Sequence, residues 1–169
     1  MTRLFLITAL VALLAPAATA SADTFTYEVP DLVSKPLIAI KKATKIPVLL
    51  PSFLRTEHRR LFSEGRGRSG RYEFELGAIR NCGTATACFV AGFRARRGAR
   101  PTNTRKVELT RGRTGYFRPL RCGASCAAPS LQWRQGGVLY TIEGKLGTKS
   151  TERRILTGLA NSAIRNGAR

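Results

Sequence analysis

Two short alternating runs meet at a pair of glycines in the last third of this chain. Leu131-Gln132-Trp133-Arg134-Gln135 places Leu131 and Trp133 on one side, and Val138-Leu139-Tyr140-Thr141-Ile142 places Val138, Tyr140 and Ile142 on one side. Period-two alternation marks a strand with one apolar face, and Gly-Gly is a preferred two-residue hairpin loop because both positions accept positive φ. An antiparallel hairpin is therefore expected here, and whatever surrounds it must cover one face. The enclosing stretch 116–144 also carries Cys122, Cys126 and the single tryptophan, Trp133, and reads as a structural centre.

Other segments repeat the pattern. Tyr72, Phe74 and Leu76 alternate with Arg71, Glu73 and Glu75 in a strand over 71–79, and a shorter strand over 59–63 precedes it. Between them, Glu64-Gly65-Arg66-Gly67-Arg68-Ser69-Gly70 reads as a glycine-rich loop. Residues 87–95 return as a strand with Ala87, Phe89, Ala91 and Phe93 on one face, and a basic loop covers 94–103. Residues 106–110 form a strand with Val107 and Leu109 inward, and 111–115 turn it into Tyr116-Phe117.

Helical signals are confined to the ends. After an extended lead-in over 21–30, Ser34-Lys35-Pro36-Leu37 suits a helix start, with Ser34 as cap and an apolar face of Leu37, Ile38, Ile40 and Ala43. Pro47 and Pro51 end it and bracket a buried extended Val48-Leu49-Leu50. A longer helix over about 151–165 has Ser150 as cap and Glu152 in its first turn. Its stripe is Ile155, Leu156, Leu159, Ala160, Ala163 and Ile164, and Asn166-Gly167 stops it. The strand faces opposite the apolar ones are polar, so one side of the sheet should be wet. The fold class expected is α+β: a mainly antiparallel sheet with one face covered by a short N-terminal and a longer C-terminal helix.

The first 22 residues are set apart. Arg3 precedes an apolar or small run over 4–14, and Ala18-Thr19-Ala20 or Ala20-Ser21-Ala22 offers a small-x-small cleavage site after Ala20 or Ala22. An export signal is expected, followed by one domain over 23–169, a length that buries a full core without help. Cys82, Cys88, Cys122 and Cys126 all lie in that domain, and an even count in an exported chain reads as two disulfides. The pairing adopted is local, Cys82–Cys88 and Cys122–Cys126, over the two crossed alternatives. Each short loop would contribute about 2–3 kcal/mol by loop-closure entropy.

Without Arg3 the chain carries 28 basic and 10 acidic residues, a net charge of +18. Codon bias accounts for choosing arginine over lysine; it does not account for the scarcity of acids. Such a charge attracts polyanions. The basic residues gather in three clusters in or beside turns: Arg66, Arg68 and Arg71; Arg94, Arg96, Arg97 and Arg100; Arg105, Lys106, Arg111 and Arg113. Planar guanidinium forks suit phosphate and carboxylate oxygens. Aromatics are not interleaved with them, so base stacking, and with it nucleic acid, is not favoured.

Few residues suit catalysis. His58 is the single histidine, which excludes a multi-histidine zinc site and leaves a Cys–His pair only on paper. The cysteine spacings, C-x5-C and C-x3-C, lack the redox C-x-x-C pattern, and the first is too wide for a zinc ligand pair. Glu73 and Glu75, two apart on one strand face, stand roughly 7 Å from each other, within reach of acid–base pairing. The interleaved Arg71 and a wet face favour ordinary solvated carboxylates. No cofactor is expected.

Ile46-Pro47-Val48-Leu49-Leu50-Pro51-Ser52, followed by Leu131-x-Trp133, Gly136-Gly137, Tyr140 and the helical stripe over 155–164, resembles a loose group of exported bacterial domains of unknown function. That group carries an early vPvyLPs strand and a late W..GG..Y hairpin with a closing helix. Some members form the extracytoplasmic parts of sigma-factor regulators, and others are free secreted proteins. The resemblance covers about a third of the domain and implies a fold and no catalytic residue. The expectation is a non-catalytic, periplasmic or secreted binding or structural module. Its partner would be an envelope protein, a hydrophobic ligand between sheet and helices, or an anionic envelope polymer taken by the arginine loops.

Overall fold

The computed structural model describes residues 23–82 and 85–169, so the expected export signal lies outside the described residues. Seven strands form the main sheet: β3 (Phe62–Arg68), β4 (Arg71–Gly77), β5 (Phe89–Arg97), β6 (Arg105–Leu109), β7 (Arg113–Arg118), β10 (Ser130–Gln135) and β11 (Val138–Gly144). Their spatial order is β3-β4-β5-β11-β10-β7-β6, and every neighbouring pair is antiparallel. Two smaller sheets pair β1 (Phe25–Glu28) with β2 (Phe53–Thr56) and β8 (Arg121–Cys122) with β9 (Cys126–Ala127). The helices are α1 (Val29–Leu32), α2 (Ser34–Ala43) and α3 (Glu152–Asn166). The α+β class holds.

The Gly136-Gly137 hairpin is as expected: φ is +57° and +73°, and Trp133 lies directly opposite Tyr140 with the rings stacked at 5.4 Å. Tyr72, Phe74, Phe93, Tyr140, Ile142, Leu131, Trp133 and Phe117 share one face and form the floor of the core. Over it lie α2, α3 and the segment 46–50. Leu156 and Ile164 of α3 are fully buried, each worth roughly 1.5–3 kcal/mol of transfer free energy. The proline-bracketed segment is buried as expected, and two tyrosines rising from the sheet hold it. Tyr72 Oη accepts from Leu49 N (3.1 Å) and donates to Leu49 O (3.3 Å), while Tyr140 Oη donates to Pro47 O (3.1 Å). Core side chains thus lie between the sheet and the helices.

Several local expectations are corrected. The stretch 64–70 is not a loop: β3 runs through Arg68, and only Ser69 and Gly70 turn. Gly65 and Gly67 are needed for close approach, since a Cβ on Gly65 would lie 2.8 Å from Pro36 Cβ, and one on Gly67 3.1 Å from Ile40 Cα. They let α2 rest on β3. Phe89 does not share a face with Ala91 and Phe93. The register slips between Leu76 and Gly77, making Val90 the extra residue of a β-bulge and turning Phe89 over Gly92 on the opposite face. Ile38 is 62% exposed, because α2 buries only Ile40 fully. Neither Ser34 nor Ser150 caps a helix. The N-cap of α3 is Thr151, whose Oγ1 accepts from Thr148 N at 3.0 Å. Glu152 is buried (5% exposed) and accepts from Leu120 N. The lead-in is extended at 25–28, as a strand paired with β2, but Val29 and Pro30 already belong to α1.

Both disulfides take the local pairing, Cys82–Cys88 and Cys122–Cys126. Among the described residues no helix is long and apolar enough to cross a membrane.

Candidate functional site: the open face of the sheet

The face turned away from the helices is built from the alternate residues of the same strands, and the pairing register sorts them into rows across the sheet. At the end carrying the hairpin turns, Arg68, Arg71 and Arg96 stand directly opposite one another on β3, β4 and β5. One row on, Arg66, Glu73 and Arg94 are aligned. One further on, the row reads Glu64, Glu75, Gly92, Glu143, Ser130 and Arg118. Successive rows are two residues apart, about 6.8 Å. The face therefore grades from arginine to glutamate along the strand axis.

The middle of the face is ion-paired. Glu73 sits between Arg66 Nε (3.0 Å) and Arg94 Nη1 (3.6 Å), while Glu143 takes Arg94 Nη2 on one side and Arg118 Nη2 (3.8 Å) on the other. The alternation Arg66-Glu73-Arg94-Glu143-Arg118 draws on five strands and reaches across β10 to β7. The hydrogen bond to Glu73 and its charge raise the Arg66 guanidinium further above its ordinary range. Among the described residues Glu75 has no such partner; burial, and then the carboxylates of Glu73 and Glu64, raise its pKa. Of the two carboxylates weighed as an acid–base pair, Glu73 is held by two arginines and Glu75 faces Glu64 across the register.

The connection from β5 to β6 crosses this face as a strap over 98–104. Gln132 Oε1 accepts from Thr102 N (2.8 Å), Thr102 Oγ1 (3.3 Å) and Asn103 N (3.1 Å). The buried Asn103 Nδ2 donates to Tyr116 O (3.1 Å), Ser130 O (3.2 Å) and Ser130 Oγ (3.0 Å). The strap walls off a hollow of about 690 Å³ lined by Arg68, Arg71, Arg96 and Arg100. A second hollow, about 490 Å³, continues from it across the shared Arg66, Glu73, Arg94, Arg118 and Glu143. Its far end lies between the disulfide loops, at Ala85 and Thr86 on one side and Cys126 to Ala128 on the other, with Phe89 among its lining. Lys145 Nζ donates to Thr86 O, and Arg118 Nη2 to Ala128 O (3.4 Å), tying both loops to the face.

The first basic cluster thus joins part of the second, and not as turns: Arg66, Arg68, Arg71, Arg94 and Arg96 are strand residues, and Arg100 is on the strap. Arg97 points to the opposite face, its Nη2 donating to Lys45 O (3.3 Å). The third cluster stays apart. Arg105 and Lys106 lie on the far edge strand, and Arg111 and Arg113 sit at the β6–β7 turn, none of them lining either hollow. Arg118, Glu143, Gln132 and Asn103 were not marked by any local motif. The alternation Ser130-x-Gln132-x-Arg134 was visible, but the strap that Gln132 pins is a contact 29 residues away in sequence.

All four cysteines are spent in disulfides, so no Cys–His pair exists. Among the described residues no group of three or more His, Cys, Asp or Glu could hold a metal ion. Fold and face together define a class, an α+β protein with a two-sided sheet and an ion-paired, arginine-edged open face. Comparison with protein-family models, with curated proteins and with solved structures finds no match to this chain.

Proposed function

We propose that the protein is an exported, non-catalytic binding module of the cell envelope or its surroundings, and that its open sheet face takes an anionic ligand. The observation that carries this is the arginine row. Arg68, Arg71 and Arg96 stand in register, yet among the described residues no carboxylate lies within ion-pairing distance of them or of Arg100. Like charges directly opposite on neighbouring strands are destabilising, and a bound anion would relieve that repulsion. The paired arginines beside it do not face that cost. Export is supported by the leader pattern over 1–22 and by two disulfides, which persist in oxidising compartments.

The test is chromatography of the oxidised protein on immobilised heparin with a salt gradient. Retention at low salt, lost steeply as salt rises, is the signature of counterion release. Each of Arg68→Gln, Arg71→Gln and Arg96→Gln should lower the salt slope by about one. Passage through the column at 50 mM salt, a condition on the order of the low-salt limit used for such slopes, sinks the reading.

A further inference from the structure

Resting on that reading, we infer that the ligand is a single-file, base-free polymer of phosphate or sulfate esters, lying across the strands along the arginine row and against the strap. Three features of the face narrow the anion to this shape. Within the strap-walled hollow the cations without an ion-paired carboxylate form one row: Arg68, Arg71 and Arg96 follow the strand spacing of about 4.8 Å, and Arg100 lines the same hollow from the strap. One row away, about 6.8 Å, arginine and glutamate cancel as Arg66-Glu73-Arg94. Another row away the charge reverses at Glu64 and Glu75, which no cation pairs among the described residues.

A chain one charge wide satisfies the row and stays clear of the carboxylates. A membrane surface or a double helix does not. Either spreads its phosphates over a width of about 20 Å, more than the two row spacings that separate arginine from glutamate. The glutamates therefore act against broad polyanions, a repulsive element that sets specificity as much as the arginines do. Nucleic-acid single strands are as narrow, but they draw affinity from stacking on aromatic side chains. None lines the arginine end with an exposed ring; the buried Tyr72 ring belongs to the core beneath. Phe89 lies at the opposite, acidic end.

The experiment compares four labelled probes of matched charge at low salt by anisotropy or flotation. They are a poly(glycerol phosphate) chain, oligo-deoxythymidine, duplex DNA, and vesicles containing phosphatidylglycerol. The inference expects the poly(glycerol phosphate) chain to bind most tightly. Arg71→Gln with Arg96→Gln should weaken it about tenfold or more, through two lost phosphate contacts. Arg134→Gln, in the same register row but not among the hollow's lining residues, should leave it unchanged. Glu64→Gln with Glu75→Gln should raise duplex and vesicle binding several-fold, on the order of the removed repulsion, and change the single chain less. Vesicles or duplex binding as tightly as the chain, oligo-deoxythymidine binding more tightly, or glutamate variants without effect on the broad probes would each overturn the inference while leaving anion binding in place. Failure of every probe, and of heparin, overturns the parent reading instead.

Discussion

Glu64 and Glu75 are the residues at which the open face is least content with its own charges. They are directly opposite on β3 and β4, and burial together with the carboxylates of Glu73 and Glu64 raises the pKa of Glu75. A raised carboxylate favours the folded state while protonated, and that contribution is lost as pH rises through its folded-state value. Once deprotonated, Glu75 stands charged among the carboxylates of Glu73 and Glu64. Glu75→Gln should therefore stabilise by about 0.5 kcal/mol at pH 7, a small figure because solvent screens the partly exposed site. The gain should fade as pH falls from that raised value to the ordinary 4.5. Urea melts at pH 7 and pH 4 measure it, and an equal gain at both refutes the assignment. Tyr72 is the opposite case, a buried hydroxyl bonded to both Leu49 N and Leu49 O. Tyr72→Phe strands both backbone groups and should cost about 2 kcal/mol by denaturant melt. Burial raises both tyrosines, Tyr140 to about 12, so stability present below pH 10 should be lost as pH climbs through that value. An alkaline melt followed at 295 nm, a wavelength on the order of the tyrosinate band, should show their ionisation only with unfolding.

At the scale of elements, what could be read from the sequence was whatever depends on neighbours in the chain. The Gly136-Gly137 hairpin, the stripe of α3 and the local disulfides each announce themselves within a few residues. The missed features depend on distant partners. Gly65 and Gly67 look like loop glycines until α2 is laid on β3. Phe89 looks core-facing until the bulge at Val90 shifts its parity, and a one-residue slip always moves a side chain to the other face. Ser34 and Ser150 were chosen as caps by residue type, while α1 running almost directly into α2, and Thr151, left them no such role. The helix contact is testable. On Gly67→Ala the new methyl would meet Ile40 backbone atoms at 3.1 and 3.3 Å, which cannot swing aside as a side-chain tip would. Overpacking of this kind should destabilise by about 1–3 kcal/mol in a thermal or urea melt, whereas Gly70→Ala, with open space around it, should cost far less.

For the whole molecule, the trough is a product of topology. Its floor joins β3, β4, β5 and β11, which the chain visits across some eighty residues, and its wall is the strap that carries the chain from β5, past three strands, to the edge strand β6. The strap has no regular structure and is set by two amides. Gln132 collects the N–H groups of Thr102 and Asn103, and Asn103 reaches down to Tyr116 and Ser130. These bonds hold the strap that carries Arg100, which lines the same hollow as Arg96. Gln132→Ala removes no positive charge, so a purely electrostatic account of the face predicts unchanged retention on heparin. If strap position matters, the variant should elute at lower salt, and exchange of the Thr102 and Asn103 amides should quicken about tenfold or more as bonds worth roughly 1–1.5 kcal/mol are lost. Arg100→Gln in the Gln132→Ala background separates the two accounts. If the strap works by placing Arg100, the second substitution adds little to the first; if the two losses simply add, Gln132 matters for the strap alone, and Arg100 binds from wherever the chain leaves it.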